Sequence, residues 1–216
     1  MSNFIGDVMV PMFFVAGSVE MLFIAYRFLN SKSSVFRNFG FGLLLYGVAF
    51  AIWSFVVLTK PDDIARFTTL GAIPFIAAHL FFLMAASTKL KAANRSVVMS
   101  AGVAYLVFVF ILRSFVYQSN TGFSANGLFY FHADPTIIAL YIGAFAASLL
   151  PAIHAVVNQI KDKQLKLITQ FSFTTLAICG IVLVTSYDDT LQTINGWIMG
   201  LTLVLVFTTY INKKVA

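Results

Sequence analysis

The chain has 216 residues, of which 60% are hydrophobic and only 10% are charged. Average globular proteins are about 45–50% apolar, glycine included, and about 25% charged. A soluble domain of this length could not cover so much apolar surface with 14 basic and 8 acidic side chains. The composition therefore excludes a soluble enzyme, a disordered tail and a disulfide scaffold, and it predicts an integral membrane protein.

Seven apolar runs are each long enough to cross a bilayer as a helix, which takes about 20 residues. They are unbroken, whereas transmembrane strands would alternate apolar and polar residues. The N-terminal run lacks the charged start and cleavage site of a signal peptide, so we expect it to remain as a span. The sequence predicts one all-α domain over residues 1–216, with spans at about 4–29, 35–59, 67–88, 97–118, 136–157, 167–187 and 190–211.

The charges between these runs predict how the chain is oriented. Lys and Arg concentrate in the first, third and fifth linkers and in the C-terminal tail, whereas the other linkers carry mainly aspartates. Because cytoplasmic loops are enriched in basic residues, we expect the N-terminus outside and the C-terminus in the cytoplasm. We therefore interpret the basic residues as topology signals and not as a surface that binds nucleic acid.

The fourth linker, residues 119–135, is rich in glycine and aromatic residues. We expect Phe129, Tyr130 and Phe131 to lie at the level of the lipid headgroups, where aromatic residues are enriched. The alternative is that this linker forms a lid over an outward-facing pocket.

Ionisable residues inside spans are costly and are candidates for function. Glu20 lies too deep in the first span to reach water, so we expect it to meet a polar partner, bind a cation or carry a proton. His79 follows Pro74 in span 3 and is either a hydrogen-bonded core residue or part of a pocket. Arg113 near the outer end of span 4 either snorkels outward, towards Asp134 or Asp188, or anchors an anionic ligand.

Aromatic residues on neighbouring spans complete the expected pocket. We predict that Tyr46, Trp53, His79 and Tyr105 line it, with Arg113 and the fourth linker near its mouth. Gly196 and Gly200 form a GxxxG pattern in span 7, which allows close helix packing within the bundle or between two copies of the chain.

Motifs for catalysis or cofactor binding are not apparent. Three histidines and one cysteine do not have metal-ligand spacing, and no serine lies in a GxSxG motif. The last span has no lysine that could hold retinal, because Lys213 and Lys214 follow its end. We therefore predict no cofactor, no metal and no catalytic residue, and enzyme activity is unsupported.

The layout resembles the N-terminal seven-helix sensor region of bacterial membrane histidine kinases. The similarity lies in the external N-terminus, the end of span 2 at residues 51–53 (AIW), the external residues 127–132 (GLFYFH) and the basic turn 161–166 (KDKQLK). It extends over roughly residues 35–212. The resemblance implies that a ligand is detected from the outer side and that the signal passes through span 7, in a bacterial or archaeal plasma membrane.

Three hypotheses for the function follow. The first is a sensor or receptor-like protein that binds a small or lipidic ligand in the bundle and signals through a cytoplasmic or membrane partner, because no kinase or cyclase domain follows residue 216. The second is a small transporter or channel, proton-coupled through Glu20. The third is an accessory subunit of a larger membrane complex, or a homo-oligomer, that packs through Gly196 and Gly200.

Overall fold

Long apolar helices dominate the computed structural model of the chain, which describes residues 10–59, 63–117, 120–123, 129–132, 134–185 and 188–212. Within these ranges the α-helices are α1 Val10–Leu29, α2 Ser34–Thr59, α3 Ile64–Ala86, α4 Ala92–Ile111, α5 Pro135–Ala144, α6 Leu150–Val157, α7 Lys163–Thr185 and α8 Asp189–Asn212. A 3₁₀ turn, Ser87–Lys89, continues α3. Two π turns, Leu112–Val116 and Phe145–Leu149, extend α4 and join α5 to α6.

Six helical segments in the described part of the chain are long and apolar enough to cross a membrane. They are residues 34–59, 64–89, 92–116, 135–157, 163–182 and 190–211. Helix α1 adds 20 residues of similar character, and the predicted start of the first span, residues 4–9, lies outside the described residues. The prediction of a membrane-type bundle of long apolar helices is confirmed at this level.

Helices α3 and α7 begin earlier than the apolar runs predicted, and an aspartate caps each of them. The Asp63 carboxylate accepts the backbone N–H of Arg66, so α3 starts at residue 64 and not 67. The Asp162 carboxylate accepts the N–H groups of Gln164 and Leu165, and α7 starts at residue 163 and not 167. Capping uses polar residues at the membrane surface, which a hydropathy count leaves out.

The fourth linker contains a hairpin that the sequence reading missed. Strands β1 Asn120–Phe123 and β2 Phe129–His132 pair antiparallel, with Asn120 opposite His132. Aromatic residues favour strands, and pairing satisfies backbone groups beside the apolar layer. Strand β1 packs on α3 and β2 on α7. The expected headgroup position of the Phe129, Tyr130 and Phe131 side chains lies outside what the structure describes.

The core lies around α2, which packs along both α1 and α3. Phe28, Phe39 and Phe82 are completely buried there, and the Phe39 ring contacts the other two in tilted geometries. Gly42 on α2 permits this packing, because a Cβ atom at that position would collide with the Phe82 ring. Helix α4 is peripheral, since Leu106 and Val109 are its buried residues.

Candidate functional site

A cavity of about 60 Å³ lies inside the bundle, between α1, α2, α3, α7, α8 and the π turn that joins α5 to α6. Its walls are largely aromatic: Tyr46, Phe50, Trp53, Phe75, Phe145 and Phe173. Met21 on α1 and Met199 on α8 contribute thioethers, and Ala177 and Gly180 on α7 leave room. No charged side chain of the described residues lines this cavity.

The rings of the wall hold one another in place. Tyr46 stacks on Phe75 with ring centroids 4.7 Å apart and an interplanar angle of 8°. Trp53 packs on Phe75 at 5.4 Å, and its indole N–H donates to the Thr68 carbonyl at 3.3 Å. Gly71 makes this approach possible, because a Cβ atom there would collide with the Trp53 indole. The wall between α2 and α3 is thus closely fitted.

A chain of hydrogen bonds lies directly behind this wall. The Tyr46 hydroxyl and His79 Nε2 are 3.1 Å apart, and His79 Nδ1 lies 2.7 Å from Ser148 Oγ. Ser148 Oγ in turn donates to the Ala144 carbonyl at 2.7 Å. His79, which is 1% exposed, therefore connects α2 and α3 to the π turn.

The direction of each hydrogen bond follows from the number of protons available. The hydroxyl proton of Ser148 is donated to the Ala144 carbonyl, so Ser148 Oγ must accept a hydrogen bond from the N–H at His79 Nδ1. In the neutral imidazole, which burial favours, Nε2 then has a free lone pair. Tyr46 donates its hydroxyl proton to this nitrogen, and the polar side-chain groups of Tyr46, His79 and Ser148 are all satisfied.

The π turn that carries Ser148 has a cause in the sequence. Pro151 has no N–H, and its ring clashes with the carbonyl four residues earlier in a regular α-helix. The helix widens over Phe145–Leu149, directly before this proline, and so brings Phe145 and Leu149 to the cavity. Such π turns occur frequently at functional sites.

The structure brings together some of the predicted ligand-binding residues but not all of them. Tyr46 and Trp53 line the cavity, and His79 lies behind Tyr46. Tyr105 lies elsewhere: its hydroxyl donates to the Leu140 carbonyl at 2.7 Å, between α4 and α5. Tyr105 packs with the second apolar cluster, around Leu106 and Tyr141.

Arg113 also does not line the cavity, and its side chain does not extend to the surface as a snorkelling residue would. It is 2% exposed and sits in the π turn Leu112–Val116.

Glu20 lies in α1, one residue before the cavity residue Met21, but does not itself line the cavity. Its side chain is partly buried, and Oε2 has no hydrogen-bond partner among the described residues. Of the three alternatives for Glu20, a polar partner is not found for this oxygen among the described residues, and a bound cation or a carried proton remain. Gly196 and Gly200 are partly exposed on α8, beside the buried Asn195 and Met199.

Sequence reasoning missed Ser148 and the rings of Phe75, Phe145 and Phe173. Two of these residues lie beside prolines: Phe75 follows Pro74 directly, and Ser148 precedes Pro151 by three residues. Prolines inside spans disturb the helix and leave backbone groups to be satisfied by side chains. A search of the residues flanking Pro74 and Pro151 could have found them.

Comparison of the chain with models of known protein families, with curated proteins and with solved structures gives no match. Within the described residues, no group of three or more His, Cys, Asp and Glu side chains could hold a metal ion. The cavity and its hydrogen-bonded wall are the candidate functional site.

Replacing Tyr46 by Phe tests the hydrogen-bonded chain. The variant keeps the ring stacked on Phe75 but leaves His79 Nε2 buried without a donor, so we expect the free energy of unfolding to fall by about 1–3 kcal/mol. The measurement is equilibrium unfolding in mild detergent with increasing denaturing detergent. Tyr26→Phe is the matched control, because Tyr26 is 63% exposed. Equal stabilities of the two variants would contradict the assigned hydrogen bond.

Proposed function

We propose that this protein is a receptor-like membrane sensor, which binds a small ligand in the cavity and passes the signal to a partner protein. One observation carries the proposal: an aromatic cavity inside the bundle whose wall residue Tyr46 is hydrogen-bonded through His79 to Ser148 on another helix. Ligand pockets are usually concave, mostly apolar and largely preformed. This cavity has those properties.

The cavity touches elements that could report its occupation. Phe145 and Leu149 belong to the π turn, and Met199 belongs to α8, the last helix of the chain. A ligand shifts a conformational equilibrium when it contacts two states differently. We infer that a ligand against Phe145 and Met199 alters how the π turn and α8 pack, and that a cytoplasmic or membrane partner reads this change.

The proposed topology has seven spans, with α1 as the first. The short connections between α1 and α2, between α3 and α4 and between α6 and α7 carry or adjoin lysines and arginines, whereas Asp63, Asp134 and Asp188 lie at the opposite ends of the helices. Such a difference favours a cytoplasmic location for the basic connections. It supports an external N-terminus and a cytoplasmic C-terminus, whereas the proposal of a bacterial or archaeal plasma membrane rests on the resemblance in layout alone.

Single introduced cysteines test this orientation. The native Cys179 is buried, so it adds little background labelling. We expect a membrane-impermeant maleimide to label Thr190→Cys in intact cells, because this exposed residue is proposed to lie outside. Lys161→Cys is the control for the other side, and we expect it to react only after permeabilisation. The reverse pattern would show that the orientation is inverted.

Filling the cavity tests ligand binding. Ala177 lines the cavity and is 3% exposed, so Ala177→Leu places three further carbon atoms in the space. We expect a small molecule to co-purify with the wild-type chain from its own membranes and to be lost from this variant by at least about tenfold, as measured by mass spectrometry. Ala51→Leu adds the same atoms on the exposed side of α2 and should retain the molecule. Retention by both variants would contradict binding in the cavity.

A second candidate function rests on Glu20. A buried carboxylate oxygen without a hydrogen-bond partner among the described residues is costly unless it carries a proton or binds a cation. We propose as the alternative a small transporter or channel in which Glu20 takes up and releases protons. Glu20 is the single glutamate of the chain, so its role can be tested without interference from others.

In proteoliposomes with an internal pH-sensitive dye, the transporter hypothesis predicts proton flux by the wild-type chain. Glu20→Gln removes the titratable group and should reduce the flux at least about tenfold. Asp63→Asn is the control, because Asn also caps helices and Asp63 is exposed. Flux that is absent from the wild type, or unchanged in Glu20→Gln, would contradict the transporter function and leave the sensor proposal standing.

A further inference from the structure

We infer that the occupant of the cavity is a small, uncharged, ring-bearing or unsaturated molecule, and that charged lipid headgroups and carboxylates are excluded from it. This inference rests on the proposed function, since it names the class of ligand for the same cavity. It follows from which polar groups the wall offers, which rings face the cavity and how much room there is.

The wall has no free hydrogen-bond donor among its described side chains. Of the lining residues, Tyr46 and Trp53 are the ones with a polar hydrogen. The Trp53 N–H donates to the Thr68 carbonyl, and the Tyr46 hydroxyl donates to His79 Nε2. A carboxylate, phosphate or carbonyl that entered the cavity would therefore lose its hydrogen bonds to water without replacement.

The backbone does not supply the missing donors. Every lining residue lies inside a helix or the π turn, where the N–H groups are bonded within the helix. The ionisable side chains of the neighbouring helices do not supply donors to the cavity either. Glu20 and Arg113 do not line the cavity, and His79 has both ring nitrogens engaged behind Tyr46.

The groups that do face the cavity are polarizable. Six aromatic rings and the sulfurs of Met21 and Met199 surround it. Aromatic rings favour stacked or edge-on contact with other π systems, and thioethers contact ring edges favourably. Dry cavities lined by apolar side chains are known to take up benzene. The wall thus selects a ligand with π-electron surface over a saturated polar solute.

The volume sets an upper limit to the part of the ligand that enters. A cavity of about 60 Å³ is less than half the size of the roughly 150 Å³ apolar cavity that takes up benzene. One aromatic ring, or a short branched unsaturated segment, therefore enters only with some movement of the wall. A fused ring system would require a larger movement.

Tryptophan fluorescence tests this inference, because the chain has 2 tryptophans and one of them lines the cavity. Trp197→Phe leaves Trp53 as the reporter of the cavity. Trp53→Phe leaves Trp197, which is 50% exposed on α8 and reports the probe dissolved in the membrane. The probes are bromobenzene and 4-bromobenzoate, which share the ring and the quenching bromine and differ in the carboxylate.

In phosphatidylcholine nanodiscs we expect bromobenzene to quench Trp53 saturably. At equal membrane concentration, as read from Trp197, 4-bromobenzoate should bind at least about a hundredfold more weakly. Ala177→Leu in the Trp197→Phe background should remove the saturable quenching, whereas Ala51→Leu should retain it. As a second measurement on the unmodified chain, bromobenzene should raise the melting temperature and 4-bromobenzoate should not.

The outcomes separate the two proposals. Saturable quenching by both probes with affinities within tenfold would overturn the uncharged ligand class and leave binding in the cavity intact. Quenching of Trp53 that rises linearly with both probes, unaffected by Ala177→Leu and with no rise in melting temperature, would contradict the proposed ligand-binding function itself.

Discussion

The hydrogen-bonded chain from Tyr46 through His79 to Ser148 is the constraint on which the site depends. In a bundle with no water to replace a lost partner, an imidazole with 1% exposure must have both nitrogens satisfied. One partner comes from α2 and the other from the π turn, so three parts of the bundle are held at a defined spacing. These hydrogen bonds also direct the Tyr46 hydroxyl towards His79, so that Tyr46 presents the apolar part of its ring to the cavity.

Rigid rings and small residues together explain why a cavity persists beside so tight a core. A leucine-rich wall could fill the space by changing rotamers, whereas Phe, Tyr and Trp are confined by stacking and by their neighbours. Trp53 is held by the Thr68 carbonyl and by the close approach that Gly71 allows. On the opposite side, Ala177 and Gly180 have too few atoms to fill the volume. The cavity therefore needs both the fixed aromatic rings and the small side chains on the other side of the space.

Hydropathy predicted the helices because a helix that crosses a membrane needs a long run of apolar residues. The site, in contrast, depends on contacts between residues far apart in sequence. Tyr46, Trp53 and His79 could be selected from the sequence because residues that carry both a ring and a polar group are few: the chain has 8 Tyr, 2 Trp and 3 His, against 24 Phe. Ser148, 69 positions after His79, could not be paired with it, and Tyr105 proved to serve another helix contact. The two π turns interrupt the regular helix in α4 and between α5 and α6, and Arg113 lies buried in the first of them.

A ligand as small as one ring would carry enough free energy to operate the proposed sensor. Moving a two-state equilibrium from 1:99 to 99:1 requires a difference in binding free energy of about 5.5 kcal/mol between the states. The best small ligands gain about 1.5 kcal/mol per non-hydrogen atom, so six ring atoms supply at most about 9 kcal/mol. The difference is reached only if one state closes the cavity nearly completely. The π turn before Pro151 is suited to this, because a return of Phe145 and Leu149 towards α-helical register would move both side chains relative to the cavity while Ser148 exchanged its partner.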